Sequence, residues 1–148
     1  ANRIGLLTGE IERIQKWYYQ KFPEIKIWQD DLCAFLRSHR YVQNVFGYRI
    51  HFFDRIEGTV FNQAVAAIPQ STVGCLINRG YRNIHCNEPD IQVLLQVHDS
   101  LAGQYPIAIR DSAQQRIIQQ CAVPLPYPDE PLIIPVGIKT STVSWGDC

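Results

Sequence analysis

The sequence predicts an α+β chain with a mainly antiparallel sheet, built in the order helices, hairpin, long helix, strand pair, helix, strand. Three observations predict it. Residues 8–39 and 58–85 carry apolar side chains at helical spacing, residues 91–98 alternate with period two, and clusters of turn-forming residues separate the blocks. At 148 residues and 46% apolar composition, the chain is long enough for one ordinary domain with one core.

The elements follow in order. Thr8 with Glu10 and Glu12 reads as a helix start, because a threonine oxygen caps free N–H groups and early acids suit the positive end of the helix dipole. Ile11, Ile14 and Tyr18 then recur at helical spacing. Pro23 suits the first position of a second helix, whose stripe is Ile25, Trp28, Leu32, Phe35 and His39. Residues 40–53, "RYVQNVFGYRIHFF", are β-branched and aromatic around Gly47, as a hairpin would be. From Gly58 to about His85 the pattern is helical again, with Pro69 inside it predicting a bend.

"NEPD", residues 87–90, is a turn by composition. Ile91, Val93, Leu95 and Val97 then predict a strand with one apolar face, and Leu101 to Tyr105 an antiparallel return. Residues 106–121 open with proline and place Ile109, Ala113, Ile117 and Cys121 at helical spacing. Beyond the proline-rich "PLPYPDEP", the run "LIIPVGIKTS" predicts a last strand, at an edge because of Pro135.

Fourteen basic and fourteen acidic side chains cancel, so global charge gives no sign of a nucleic-acid or membrane partner. Five cysteines, Cys33, Cys75, Cys86, Cys121 and Cys148, form no C-x-x-C pair and predict a reducing cytosol rather than a disulfide frame. No secretory pattern opens the chain and no apolar run nears the ~18 residues that span a bilayer, so a soluble protein without a membrane partner is expected. The sequence begins at Ala1 and has no methionine, which predicts a trimmed chain or a piece of something longer.

The candidate chemistry lies in "LLQVHDSLAG", residues 94–103, where a strand delivers His98 and Asp99 to its own tip. A carboxylate at a hairpin turn is held rigidly yet open, which suits a hard divalent cation such as Mg²⁺. Aspartate is also among the commonest turn residues, and a lone histidine at a strand end is often a satisfied surface group, so spacing alone leaves both readings open.

The wider text separates them. "QVHDS" (residues 96–100) resembles motif C of the family A DNA polymerases, the DNA polymerase I family, usually Q-V-H-D-E. "IPQSTVG" (68–74) resembles its P-x-Q-G-T-A-A segment, "YVQNVFGYR" (41–49) its G-Y-V-x-T-x-x-G-R-R hairpin, and "VPLPYPDEPLIIPVGIKTSTVSW" (123–145) its closing V-P-L-x-V-x-x-x-x-G-x-x-W. The matches fall in the family's order and spacing across nearly the whole chain, and the wording is closest to bacteriophage members.

The resemblance implies roles. Asp99 would be a metal-binding catalytic carboxylate of the palm, in a scheme where two Mg²⁺ ions stabilise an in-line displacement at the primer 3′-hydroxyl. His98 would lie against the primer terminus and Gln70 would check base-pair geometry from the minor groove. Arg49 matches a hairpin arginine that could touch the DNA backbone, although an exposed arginine is also ordinary surface. Trp145 matches a tryptophan expected to pack.

Departures limit this reading. Ser100 stands where the family's second motif C carboxylate usually stands, Asn62 and Ala66 replace an arginine and an asparagine that contact DNA, and Ser71 replaces a glycine. Motif A, D-Y-S-x-I-E-L-R, and the nucleotide-gripping residues of motif B are not found; Asp90, Asp111, Asp30 and Asp31 read as surface charges. The expectation is therefore a helical part of the fingers in residues 1–39 and a palm portion in residues 40–148. It would act on primer–template DNA with deoxynucleoside triphosphates and Mg²⁺, in the bacterial host cytoplasm if phage-encoded, once joined by an amino-terminal piece carrying motifs A and B. The rivals are a noncatalytic DNA-binding or accessory remnant of such a polymerase, and an independent fold with an unrelated metal site.

Overall fold

The computed structural model describes residues 8–148. Its helices are α1 (Thr8–Lys21), α2 (Pro23–His39), α3 (Gly58–Asn87) and α4 (Arg110–Cys121). Its strands are β1 (Tyr41–Gln43), β2 (Arg49–His51), β3 (Gln92–Val97) and β4 (Ser100–Gln104), paired as β1 with β2 and β3 with β4. The α+β class is as expected, but the sheet is two separate two-stranded ribbons. The chain divides into two compact units. One takes the chain through Val42 together with Ile50–Ala66, and the other takes Gln43–Arg49 and Ala67–Cys148.

In the first unit, α1 is helical through all its described residues, Thr8–Lys21. It buries none of its residues, and the expected stripe stays in water: Ile14 is 52% exposed and Tyr18 40%. α2 opens at Pro23 and closes at Arg40, whose φ of 60° lets its N–H reach the Leu36 carbonyl. Its inward face is Ile25, Gln29, Leu32, Cys33 and Leu36, which keeps Ile25 and Leu32 of the predicted stripe but leaves Trp28, Phe35 and His39 exposed. Apolar residues stand on both faces of this helix, and only packing decides which is buried. Leu36 and Val42 are fully buried in this unit, with Val60 and Ala64 nearly so, and the Arg37 guanidinium lies over the Phe61 ring.

α3 is continuous across Pro69, where Ser71 and Thr72 hydroxyls both donate to the Ile68 carbonyl. By length and composition alone α3 could cross a membrane, its most apolar 18-residue window having mean hydropathy 1.2. Val60 and Ala64 of this helix are buried in the first unit and Thr72 and Ile84 in the second.

The second unit is built on Ile84, Ile91 and Ala113, with Val93, Leu101, Tyr105, Ile109, Ile117 and Cys121 packed around them. The α4 face read from sequence is therefore the buried one, preceded by a 3₁₀ turn at Ile107–Ile109. Gly80 permits the close approach of α3 and α4, since a Cβ there would stand 3.0 Å from Cys121 Sγ. The "NEPD" turn does more than reverse the chain. Its Glu88 is buried and accepts from Arg116 Nη1 (2.6 Å) and Gln120 Nε2 (2.8 Å), holding α4 to the end of α3.

The five cysteines are free. Burial pushes the Cys121 thiol up, so less thiolate is present at any given pH near 8. Alkylation with iodoacetamide should label exposed Cys86 and Cys148 first and Cys121 last, a pattern that peptide mass analysis would check.

The predicted last strand is not formed. Residues 132–141 contain no strand, and the tail's pairing is a single bridge, Leu125 N–H to the Leu132 carbonyl at 2.8 Å. Pro131 and Pro135 remove donors, and among the described residues no open strand edge pairs with this segment. Trp145, expected to pack, is 65% exposed in a terminal 3₁₀ turn.

Candidate functional site

The site is the tip of the β3–β4 ribbon. The strands pair Gln92 with Gln104, Val93 with Gly103, Leu95 with Ala102, Gln96 with Leu101 and Val97 with Ser100. Leu94 is the extra residue of a bulge. The bulge overturns the predicted single apolar face. Ahead of it Val93 faces the core, whereas beyond it the alternation shifts by one, so Leu101 joins the core while Leu95 and Val97 turn to the other side. Leu94 and Leu95 are left 63% and 45% exposed. Gly103 is required at this point, since a Cβ there would lie 2.6 Å from the Gln92 carbonyl oxygen.

A two-residue turn, His98-Asp99, joins the strands. His98 has φ of 52°, the left-handed region that such short turns demand and that costs a non-glycine residue on the order of 1 kcal/mol. Cross-strand bonding on both sides fixes the tip. The Ser100 hydroxyl donates to the Val97 carbonyl at 2.9 Å, which closes the last rung. Ser100 is thus a turn-bracing hydroxyl where the resembled motif has an acid.

His98 and Asp99 are both exposed. An exposed carboxylate on a braced turn offers hard oxygen donors of the kind Mg²⁺ takes. Among the described residues, however, no group of three or more His, Cys, Asp and Glu side chains could hold a metal ion. The donor set fits one ligand of a shared ion, with the remainder coming from elsewhere.

The other sequence-derived residues lie on other elements. Gln70 is exposed on α3 in the second unit, and Asn62 is exposed on α3 in the first. Arg49 lies at the start of β2, where its Nε donates to Gln43 Oε1 at 2.8 Å. That hydrogen bond occupies part of the guanidinium within the hairpin itself.

One residue was missed from the sequence. Asn44, 4% exposed, builds the β1–β2 loop: its side-chain oxygen accepts from the Phe46 and Tyr48 N–H groups (2.9 and 3.1 Å), and its backbone brackets Gly47, which has φ of 85°. Its amide nitrogen donates to Ser71 Oγ (3.1 Å) and Cys75 Sγ (3.5 Å), so the loop is docked on α3 beside Gln70. The Arg79 guanidinium over the Phe46 ring, 4.2 Å from its centroid, adds a second attachment. The available signal was Asn44 three residues before Gly47, an Asx-turn pattern. Asn44→Ala leaves buried partners unpaired and is expected to lower stability by about 2 kcal/mol, measurable by urea unfolding.

No family model matches the chain. It is 30% identical over 115 residues to the DNA polymerase I of Chloroflexus aurantiacus, an alignment covering 72% of this chain and 12% of that relative. Its fold is similar to a solved structure described as the POL domain of Pol1 from M. smegmatis in complex with DNA primer–template and dNTP, with a TM-score of 0.72 and 21% identity. That match covers 89% of this chain and 25% of the other. The chain spans a small part of each.

Proposed function

We propose a function for a chain that belongs to the DNA polymerase I family, family A, as a carboxy-terminal part: it completes a DNA-directed DNA polymerase by contributing Asp99 to the nucleotidyl-transfer site. The observation that carries this reading is the braced two-residue turn presenting His98 and Asp99 to solvent. Templated addition of deoxynucleotides to a primer then takes place only after this chain combines with an amino-terminal piece bearing motifs A and B.

Asp99 is the residue here that would hold Mg²⁺, sharing two ions with the absent motif A. Those ions, when bound, would supply activation of the primer hydroxyl and stabilisation of charge on the transferring phosphate. His98 orients the primer end from the adjacent turn position. Gln70 meets the minor groove, with Asn62 and Arg49 giving further contacts along the DNA. We place the protein in the cytoplasm, of a bacterial host if a phage encodes it; its five free thiols are in keeping with a reducing compartment.

A second reading has one observation in its favour. Ser100 spends its hydroxyl on the Val97 carbonyl in place of a second acid, as a noncatalytic DNA-binding or accessory remnant would allow. Mg²⁺-dependent primer extension distinguishes the two, assayed with the chain alone and with its amino-terminal complement. Extension confined to the mixture is expected. DNA binding without extension in a demonstrably assembled complex would favour the remnant.

A further inference from the structure

Five rings of the first unit form a continuous series that the nucleotidyl-transfer reading does not use. Phe35 stacks on His39, centroids 4.0 Å apart and planes 11° from parallel. Tyr41 meets both edge-on, at 5.4 and 6.0 Å, and His51 lies 5.4 Å from Tyr41. Phe53 stacks on His51 at 6.4 Å and 19°. The series runs from the last turn of α2 through β1 and β2 to a ring that is 89% exposed.

That exposure is built into the chain path. Arg40 donates to the Phe53 carbonyl (2.8 Å) and the Asp54 carbonyl (2.6 Å), while its own carbonyl accepts from Phe52 N–H (2.8 Å). The segment behind the ring is therefore held, with the ring left in water. Chemistry narrows the occupant. In residues 35–41 and 50–55, Arg37, Arg40 and Arg55 stand against one acid, Asp54, although Arg55 also pairs with Glu57 at 3.4 Å. Flat rings interleaved with histidines and arginines match a ligand that is planar and aromatic along one edge and anionic along the other.

We propose that this ring series is a stacking platform for the unpaired bases of single-stranded nucleic acid, such as a template strand ahead of the primer end. The proposal rests on the reading that the chain handles primer–template, and it adds a site remote in sequence from Asp99. Bases stack on Phe53 and His51, and Arg40, held beside Phe53 by its bonds to the Phe53 and Asp54 carbonyls, draws in the phosphates.

The test is fluorescence anisotropy of the full chain with three labelled DNAs: oligothymidylate, a blunt duplex, and the same duplex with a 5′ single-stranded overhang. The overhang should bind about tenfold more tightly than the blunt duplex. Phe53→Ala should abolish that gain without changing blunt-duplex affinity, and Phe53→Trp, which keeps a ring, should retain it. Unchanged melting temperatures would show that the variants fold, as expected at so exposed a position. Parent-like overhang binding by the Phe53→Ala, His51→Ala double variant would overturn the platform, as would full retention in Phe53→Leu. No binding of the parent to any of the three DNAs would overturn the platform and leave the polymerase reading to primer extension by the complemented assembly, so the two failures are distinguishable.

Discussion

Asp99→Asn is expected to lower the single-turnover rate of nucleotide incorporation by the complemented assembly by about a thousandfold, with DNA affinity within twofold of the parent. The substitution keeps the shape of the side chain and removes its charge, and loss of one charge-stabilising group at a transition state is commonly worth ~10²–10³ in rate. Stability should be unaffected. Asp99 is exposed at the end of the ribbon, and surface changes of this kind fall within about 0.5 kcal/mol. Rapid-quench kinetics at saturating DNA, beside a thermal melt of each protein, would separate a chemical loss from a folding one.

Gly103→Ala should produce the largest loss of stability. Its added Cβ meets the Gln92 carbonyl oxygen at 2.6 Å and Val93 Cα at 3.4 Å, and both are backbone atoms that no side-chain rotation can clear. β3 and β4 must separate beside the bulge, at an expected cost of about 3 kcal/mol, or roughly 10 °C in melting temperature. Hydrogen exchange should show loss of protection from Gln92 to Gln104. Activity should fall about a hundredfold in the folded fraction as well, because a displacement near 1 Å at a reacting group has that effect. The strand pairing and the position of Asp99 are a single structural fact.

The hairpin tip was legible because its signals are local: alternation up to Val97, turn residues at 98 and 99, and apolar return residues after them. Register was not legible. The bulge at Leu94 depends on what lies across the ribbon, and a run of apolar residues gives no mark of which one is extra. The same limit applies to α2, where two apolar faces compete and Leu36, outside the predicted stripe, is the residue fully buried. Residues 132–141 look like a strand one residue at a time, yet a strand exists only against a partner, and the described residues offer this one a single bridge. Asn44 was passed over for a related reason, since its polar letter inside a hairpin gives no sign of the buried amide that docks the loop on α3. Motif wording singled out Asp99, His98 and Gln70, and the structure adds what braces the turn that carries the first two.

A metal swap at Asp99 tests the central claim most directly. Asp99→Cys, assembled with the amino-terminal complement, should be inactive in Mg²⁺, a hard ion that thiolates bind poorly, and should recover primer extension in Mn²⁺ or Cd²⁺, which tolerate sulfur. Rescue by the softer ions alone would show that residue 99 touches the metal. Extension in Mg²⁺ at the parent rate, or none with any ion while Asp99 itself supports synthesis in all three, would contradict its assignment as a ligand.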